Sequence, residues 1–124
     1  MNLVDSSAWM EFLTGAPNAS RYETPIKKTT QLVVPTIVLM EVWRYMTRWH
    51  GRQKADLAAA YMMEGLVIPL DETLALSAAQ MGLDHKLPLA DSVVLATART
   101  CEAVLWTQDS HFSGIAGVKY FAKS

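Results

Sequence analysis

Met1-Asn2-Leu3-Val4-Asp5-Ser6-Ser7-Ala8-Trp9-Met10-Glu11-Phe12-Leu13 opens the chain, and this stretch decides the fold. A short apolar run ends in Asp5-Ser6-Ser7, residues whose side chains cap the free N–H groups of a helix, and the amphipathic segment Ala8 to Leu13 follows. The reading is strand, then helix. The same grammar recurs downstream. Gln31 to Val34 is a strand ending at Pro35-Thr36, after which Leu39, Val42, Trp43, Met46 and Trp49 return at helical spacing up to Gly51. Arg52 to Glu64 is a further helix closed by Gly65, and Leu66 to Leu70 returns to strand character. Thr73 to Lys86 and Leu89 to Thr100 are two successive helices, the second opened by Pro88, where a missing N–H costs nothing. Ala103 to Trp106 is a short buried strand, and Val118 to Phe121 supplies a last edge strand. Between the first helix and the second strand, Gly15-Ala16-Pro17-Asn18 breaks the pattern and Ala19 to Lys28 reads as a polar helix interrupted by Pro25.

Strands that alternate with helices require right-handed crossovers and a sheet covered on both faces. The expected fold is therefore α/β, a three-layer α/β/α sandwich with a central, mainly parallel sheet. Its 124 residues, 51% of them apolar, suit one domain spanning 1–124. A net charge of -1 and a pI near 6.3 give no global attraction to polyanions, so a nucleic acid must be held by a local basic patch or through metal ions. Cys101 is the single cysteine; it excludes an internal disulfide, fits a reducing cytosol and reads as core. No basic leader precedes a long apolar run, and no stretch approaches the ~20 residues of a membrane span. A cytoplasmic protein is expected.

In open parallel sheets, ligands bind outside the C-terminal ends of the strands. Asp5 ends the first strand, Glu41 lies just over a turn into the helix after the second, Asp91 sits in the opening turn after Pro88, and Asp109 follows Ala103 to Trp106. Each has a structural reading of its own: a cap for Asp5, a solvated position for Glu41, a helix-dipole partner for Asp91, an N-cap of a short helix through Phe112 for Asp109. Together on one edge they form a carboxylate set that repels itself unless a cation sits among them. Mg²⁺ or Mn²⁺ suits all-oxygen ligands, whereas zinc is disfavoured without a Cys and His set. Phosphodiester hydrolysis is the chemistry such a site supports.

These four segments resemble the motifs of the PIN-domain family, and in particular of VapC-type toxins of toxin-antitoxin pairs. Asp5-Ser6-Ser7-Ala8-Trp9 is similar to the family's opening motif, and Glu41 follows the second strand as the family's glutamate does. Leu87-Pro88-Leu89-Ala90-Asp91-Ser92 resembles the third motif and Thr107-Gln108-Asp109-Ser110-His111-Phe112 the last. Most of the chain is covered. The resemblance implies a metal-dependent endoribonuclease with Asp5, Glu41, Asp91 and Asp109 as metal ligands, Mg²⁺ as cofactor with Mn²⁺ able to substitute, a homodimer, and a cognate antitoxin partner that blocks the site. It also leaves open a PIN fold acting mainly as a binding or regulatory module.

Ser7 and Thr107 are expected either to hold the carboxylates through their hydroxyls or to serve as cap and turn residues. Arg44 and Arg48 share a helix face near Glu41 and are RNA-binding candidates beside their reading as a solvated face, with Arg52, Lys27, Lys28, Lys86 and Arg99 behind them. His111 reads as a surface residue. Trp9, Phe12, Trp43, Met46, Trp49, Met62 and Met63 are more apolar bulk than a small core hides, so core packing competes with an exposed groove for a partner. Two rival phosphotransfer folds fail on residues: a dehalogenase-type site needs an acid at position 7, which is Ser7, and a receiver domain needs paired acids near the first strand.

Overall fold

The computed structural model describes Met1–Ser124. Its elements run β1 (Asn2–Val4), α1 (Ser6–Leu13), α2 (Ala19–Lys27), β2 (Leu32–Pro35), α3 (Thr36–His50), α4 (Arg52–Met62), β3 (Leu66–Ile68), α5 (Glu72–His85), α6 (Leu89–Thr100), β4 (Val104–Thr107) and β5 (Val118–Tyr120). The five strands form one sheet in the order β3-β2-β1-β4-β5, and every pairing is parallel. The expected mainly parallel sheet is thus wholly parallel. Right-handed crossovers place α1 to α4, which follow the leftward steps from β1 to β3, on one face, and α5 and α6 on the other. The contacts of α1 with α2 and α3, of α3 with α4, and of α5 with α6 agree.

Leu3, Val4, Leu32, Val33 and Val34 are all fully buried, because β1 and β2 are covered on both faces, whereas β4 alternates, with Leu105 buried and Val104 and Trp106 partly exposed. The edges differ. Leu66 on β3 is half exposed, and Val118 and Tyr120 on β5 are partly so. The helix boundaries follow capping. The Asp5 side chain accepts from Ser6 N at 2.7 Å to start α1, and Asp71 accepts from Leu74 N at 2.9 Å to start α5.

One expectation needs correction, and another divides. The segment Ala19–Lys27 is neither polar all round nor interrupted: α2 continues through Pro25, and Tyr22, Pro25 and Ile26 form a buried stripe at i, i+3, i+4. Pro25 forfeits the N–H bond to the carbonyl four residues back, and its ring is packed inside. Of the proposed excess apolar residues, Trp9 and Met62 are fully buried and Met46 nearly so, whereas Trp49 and Met63 are exposed. Trp9 stands edge-on to Phe12 and Tyr61 at 6.4 and 6.1 Å, geometry favourable to aromatic pairs. Cys101 lies just past α6, half-buried against the core, and burial pushes its thiol up, so it stays protonated. No helix is long and apolar enough to cross a membrane.

Candidate metal centre

The chain leaves β1 in one direction across the sheet and leaves β4 in the other, so the crevice between their C-terminal ends is the topological switch point. Register puts Val4 opposite Trp106 and carries the ladder one step further, with Asp5 N donating to Trp106 O at 3.0 Å. The Asp5 carboxylate therefore arrives beside Thr107. Its Oδ2 accepts from Thr107 Oγ1 at 2.8 Å and from Ser7 Oγ at 3.0 Å, while Oδ1 takes the Ser6 amide. Thr107 Oγ1 in turn accepts from Asp109 N at 2.9 Å, which ties the turn carrying Asp109 to the turn carrying Asp5. Both hydroxyls thus contact the carboxylate as well as shaping their turns.

Asp91, in the first turn of α6, and Asp109 converge from opposite sides on His111. The imidazole Nδ1 is 2.9 Å from Asp91 Oδ2 and 3.1 Å from Asp109 Oδ1, and ligand atoms of these three residues lie within 4.8 Å of one another. Asp109 also caps the short 3₁₀ turn Ser110–Phe112 by accepting from His111 N. Asp5 and Glu41 are not part of that tight cluster. They flank it closely enough to act on its charge.

That coupling appears in the protonation behaviour. Burial, then the Asp5 charge, pushes Glu41 up to about 7, against the pull of the Ser6 hydroxyl. Burial, then Asp109 and Asp5, pushes Asp91 up to about 6. Asp5 is also raised, chiefly by burial, although its three hydrogen bonds oppose this. The neighbouring Asp109 and Asp91 raise His111. None of the four acids forms an ion pair with a lysine or arginine; His111 is their only ion-pair partner.

A set of oxygen donors with uncompensated charge fits a hard divalent cation, bound directly by some carboxylates and through water by others. The structure adds one imidazole that the sequence reading set aside as surface. His111 is exposed, but it is not idle, and a mixed oxygen and nitrogen set admits transition ions such as Mn²⁺ more readily than carboxylates alone. Its only sequence signal was its place two residues after Asp109.

The family-model comparison covers residues 3–118 and matches the PIN domain. The chain belongs to the PIN domain family. Among solved structures, this PIN domain is similar to a chain of a toxin-antitoxin complex from Klebsiella pneumoniae, at 23% identity over 100% of each chain with a TM-score of 0.84. It is also similar to VapC20 of Mycobacterium tuberculosis, described as a sarcin-ricin loop cleaving toxin, at 21% identity over 94% and 95% of the chains with a TM-score of 0.78. The VapBC2 structure of Rickettsia felis, bound to promoter DNA, matches at 13% identity over 99% and 98% with a TM-score of 0.73. At these identities the likeness is one of fold. No curated protein matches the sequence.

The surfaces around the centre sort the basic candidates. Arg44 and Arg48 are exposed and unpaired on the face of α3 that carries Glu41, and both line a cleft with Glu41, Ser6 and Met10. Arg52 is instead engaged by Asp56 at 3.2 Å and stacked over Trp43, Lys27 pairs with Glu23, and Arg99 donates to Ala116 O. Two apolar grooves flank α3 and α4. Leu39, Met40 and Trp43 line one, and Phe12, Met46, Leu57 and Tyr61 the other.

The raised acids predict how the metal-free protein responds to pH. A carboxyl group whose folded-state pKa lies above its unfolded value stabilises the fold below the unfolded value, and that contribution is lost as pH rises through the folded one. For Glu41 and Asp91 the loss falls between the ordinary carboxylate range and about 7, and the raised His111 acts in the same direction. In a chelator, the melting temperature is expected to drop by several degrees between about pH 5 and pH 7.5, and millimolar Mg²⁺ or Mn²⁺ restores more of it at the higher pH. The Glu41→Gln variant should flatten the dependence. A metal-free melting temperature that climbs over this range would contradict the coupling.

Proposed function

We propose that this PIN domain is a divalent-metal-dependent endoribonuclease, the toxin of a VapBC-type toxin-antitoxin pair. The observation that carries the reading is the convergence of Asp5, Glu41, Asp91 and Asp109 on the switch-point crevice, electrostatically coupled and with no lysine or arginine paired to them. Asp91 and Asp109 would hold an Mg²⁺ or Mn²⁺ ion, with Asp5 and Glu41 completing its shell directly or through water. Bound there, the ion would neutralise charge on the scissile phosphodiester and acidify a water for in-line attack. Ser7 and Thr107 orient Asp5, and Arg44 and Arg48 draw the polyanion to an otherwise acidic rim. RNA is favoured as substrate by the neighbour described as cleaving the sarcin-ricin loop.

Residues 1–124 are read as one domain because one sheet runs through them. The apolar grooves along α1, α3 and α4 are the natural seat for an antitoxin segment, and the neighbours described as toxin-antitoxin complexes support that partner. A homodimer in the cytoplasm belongs to the same reading. The test is incubation of the pure protein with unpaired RNA and, in parallel, DNA, in Mn²⁺ or in chelator. Cleavage of RNA in Mn²⁺ alone is expected. RNA left intact under every metal condition would point to a binding or regulatory module instead.

A further inference from the structure

On α3, Glu41, Arg44, Tyr45, Arg48 and Trp49 recur at three- and four-residue steps, so they line one side of the helix, leading away from the acids. Together with Ser6 they border a cleft of 330 Å³, the size of a small-ligand site. Met10 and Tyr45 also border a second cleft, of 370 Å³, that reaches Asp109 and Lys123. The two clefts share Met10 and Tyr45 in their walls. Trp49, on the wall of the first cleft, is 63% exposed, with the Arg48 guanidinium 5.1 Å from its ring centroid. An open indole is costly to leave in water. Neither Arg44 nor Arg48 has a carboxylate partner to neutralise it.

We propose that Trp49, flanked by Arg44 and Arg48, is a nucleobase-stacking seat that holds one unpaired base of the RNA while the arginines grip the adjoining phosphates. Trp49 lies eight residues beyond Glu41, roughly 12 Å along the helix, so the base it holds neighbours the scissile phosphate. Cation and ring together fit a nucleotide, which offers a phosphate to one and a π-face to the other. A base locked in a duplex has no free face, so the seat selects single strands and loops. The inference rests on the ribonuclease reading and names how that site chooses its substrate.

The experiment uses the Asp91→Asn variant in Mg²⁺, so that the probe stays intact, and a fluorescein-labelled, unpaired ten-nucleotide RNA followed by anisotropy. Adding Trp49→Ala is expected to weaken binding about tenfold, the usual scale for deleting a stacking ring, with little change in salt dependence. Trp49→Phe should recover most of the loss. Arg48→Ala should weaken binding and lower the salt slope by about one, and the same RNA held in a duplex should bind far less well. Equal affinity with and without the indole overturns the proposal and leaves the patch to a protein partner. No binding of the probe by the parent overturns it too. Binding that needs Trp49, in a protein whose wild type cuts no RNA, would uphold the seat and refute the nuclease; cleavage by wild type with Trp49-independent binding would do the reverse.

Discussion

Asp91→Asn and Asp5→Asn are each expected to lower Mn²⁺-dependent RNA cleavage by ~10³-fold or more, on the several kcal/mol that a bound metal contributes to the transition state. The fold should survive. Asp91 is in the first turn of α6, partly exposed, and an asparagine there still offers an oxygen to His111. At Asp5 the amide must serve three donors with one oxygen. The Ser6 amide cannot reverse its role, so it keeps that oxygen. The Ser7 and Thr107 hydroxyls can rotate and accept from the new NH₂ group. Because both carboxylates are raised chiefly by burial and further by the Asp109 charge, their charges oppose folding at neutral pH. The metal-free variants should therefore melt at or above the wild type. Cleavage by either at the wild-type rate, with folding shown by circular dichroism, would remove the metal centre from the argument.

The second large effect is expected away from the crevice, at Glu11. This residue on α1 is almost wholly buried: its Oε2 accepts from Asn18 N at 2.8 Å and its Oε1 from Gln108 Nε2 at 3.0 Å. Gln108 Oε1 accepts from Asn18 Nδ2 at 3.2 Å, and Asn18 Nδ2 reaches Ala122 O at 3.0 Å. One acceptor-only group thus satisfies two buried donors and fastens the Thr107-Gln108-Asp109 turn to α1 and to the start of α2. Glu11→Ala leaves those donors stranded and should cost roughly 2–4 kcal/mol. Even Glu11→Gln should destabilise, by about 1 kcal/mol, because its NH₂ must face another donor. Loosening the turn should also weaken Mn²⁺ binding at temperatures where the variant is still folded, which calorimetric titration can measure. A variant as stable as wild type in urea would show that the network is ornamental.

Much of the fold was readable because its signals are local. Asp5-Ser6-Ser7 caps the helix it precedes, Pro88 opens α6, and Val33-Val34 has no polar alternation because both its faces are covered. Each is a matter of neighbouring residues and periodicity. The acids that end up around the crevice were legible for a similar reason. Every strand of a parallel sheet ends at one edge, which places Asp5, Glu41 and Asp109, and the helix leading into β4 starts at that edge, which places Asp91. Pro25 and the apolar stripe of α2 were misjudged because the surface that receives Tyr22 and Ile26 comes from elsewhere in the chain.

What the amino-acid order determined alone is therefore the alternation of elements and the edge on which Asp5, Glu41, Asp91 and Asp109 fall. Tertiary structure alone decided the strand order β3-β2-β1-β4-β5 and which acids close on His111. It also decided that Glu11 and Gln108, 97 positions apart, share a hydrogen bond. Capping and periodicity act over a few residues, whereas a contact between distant segments exists only once strand register has brought its two halves together.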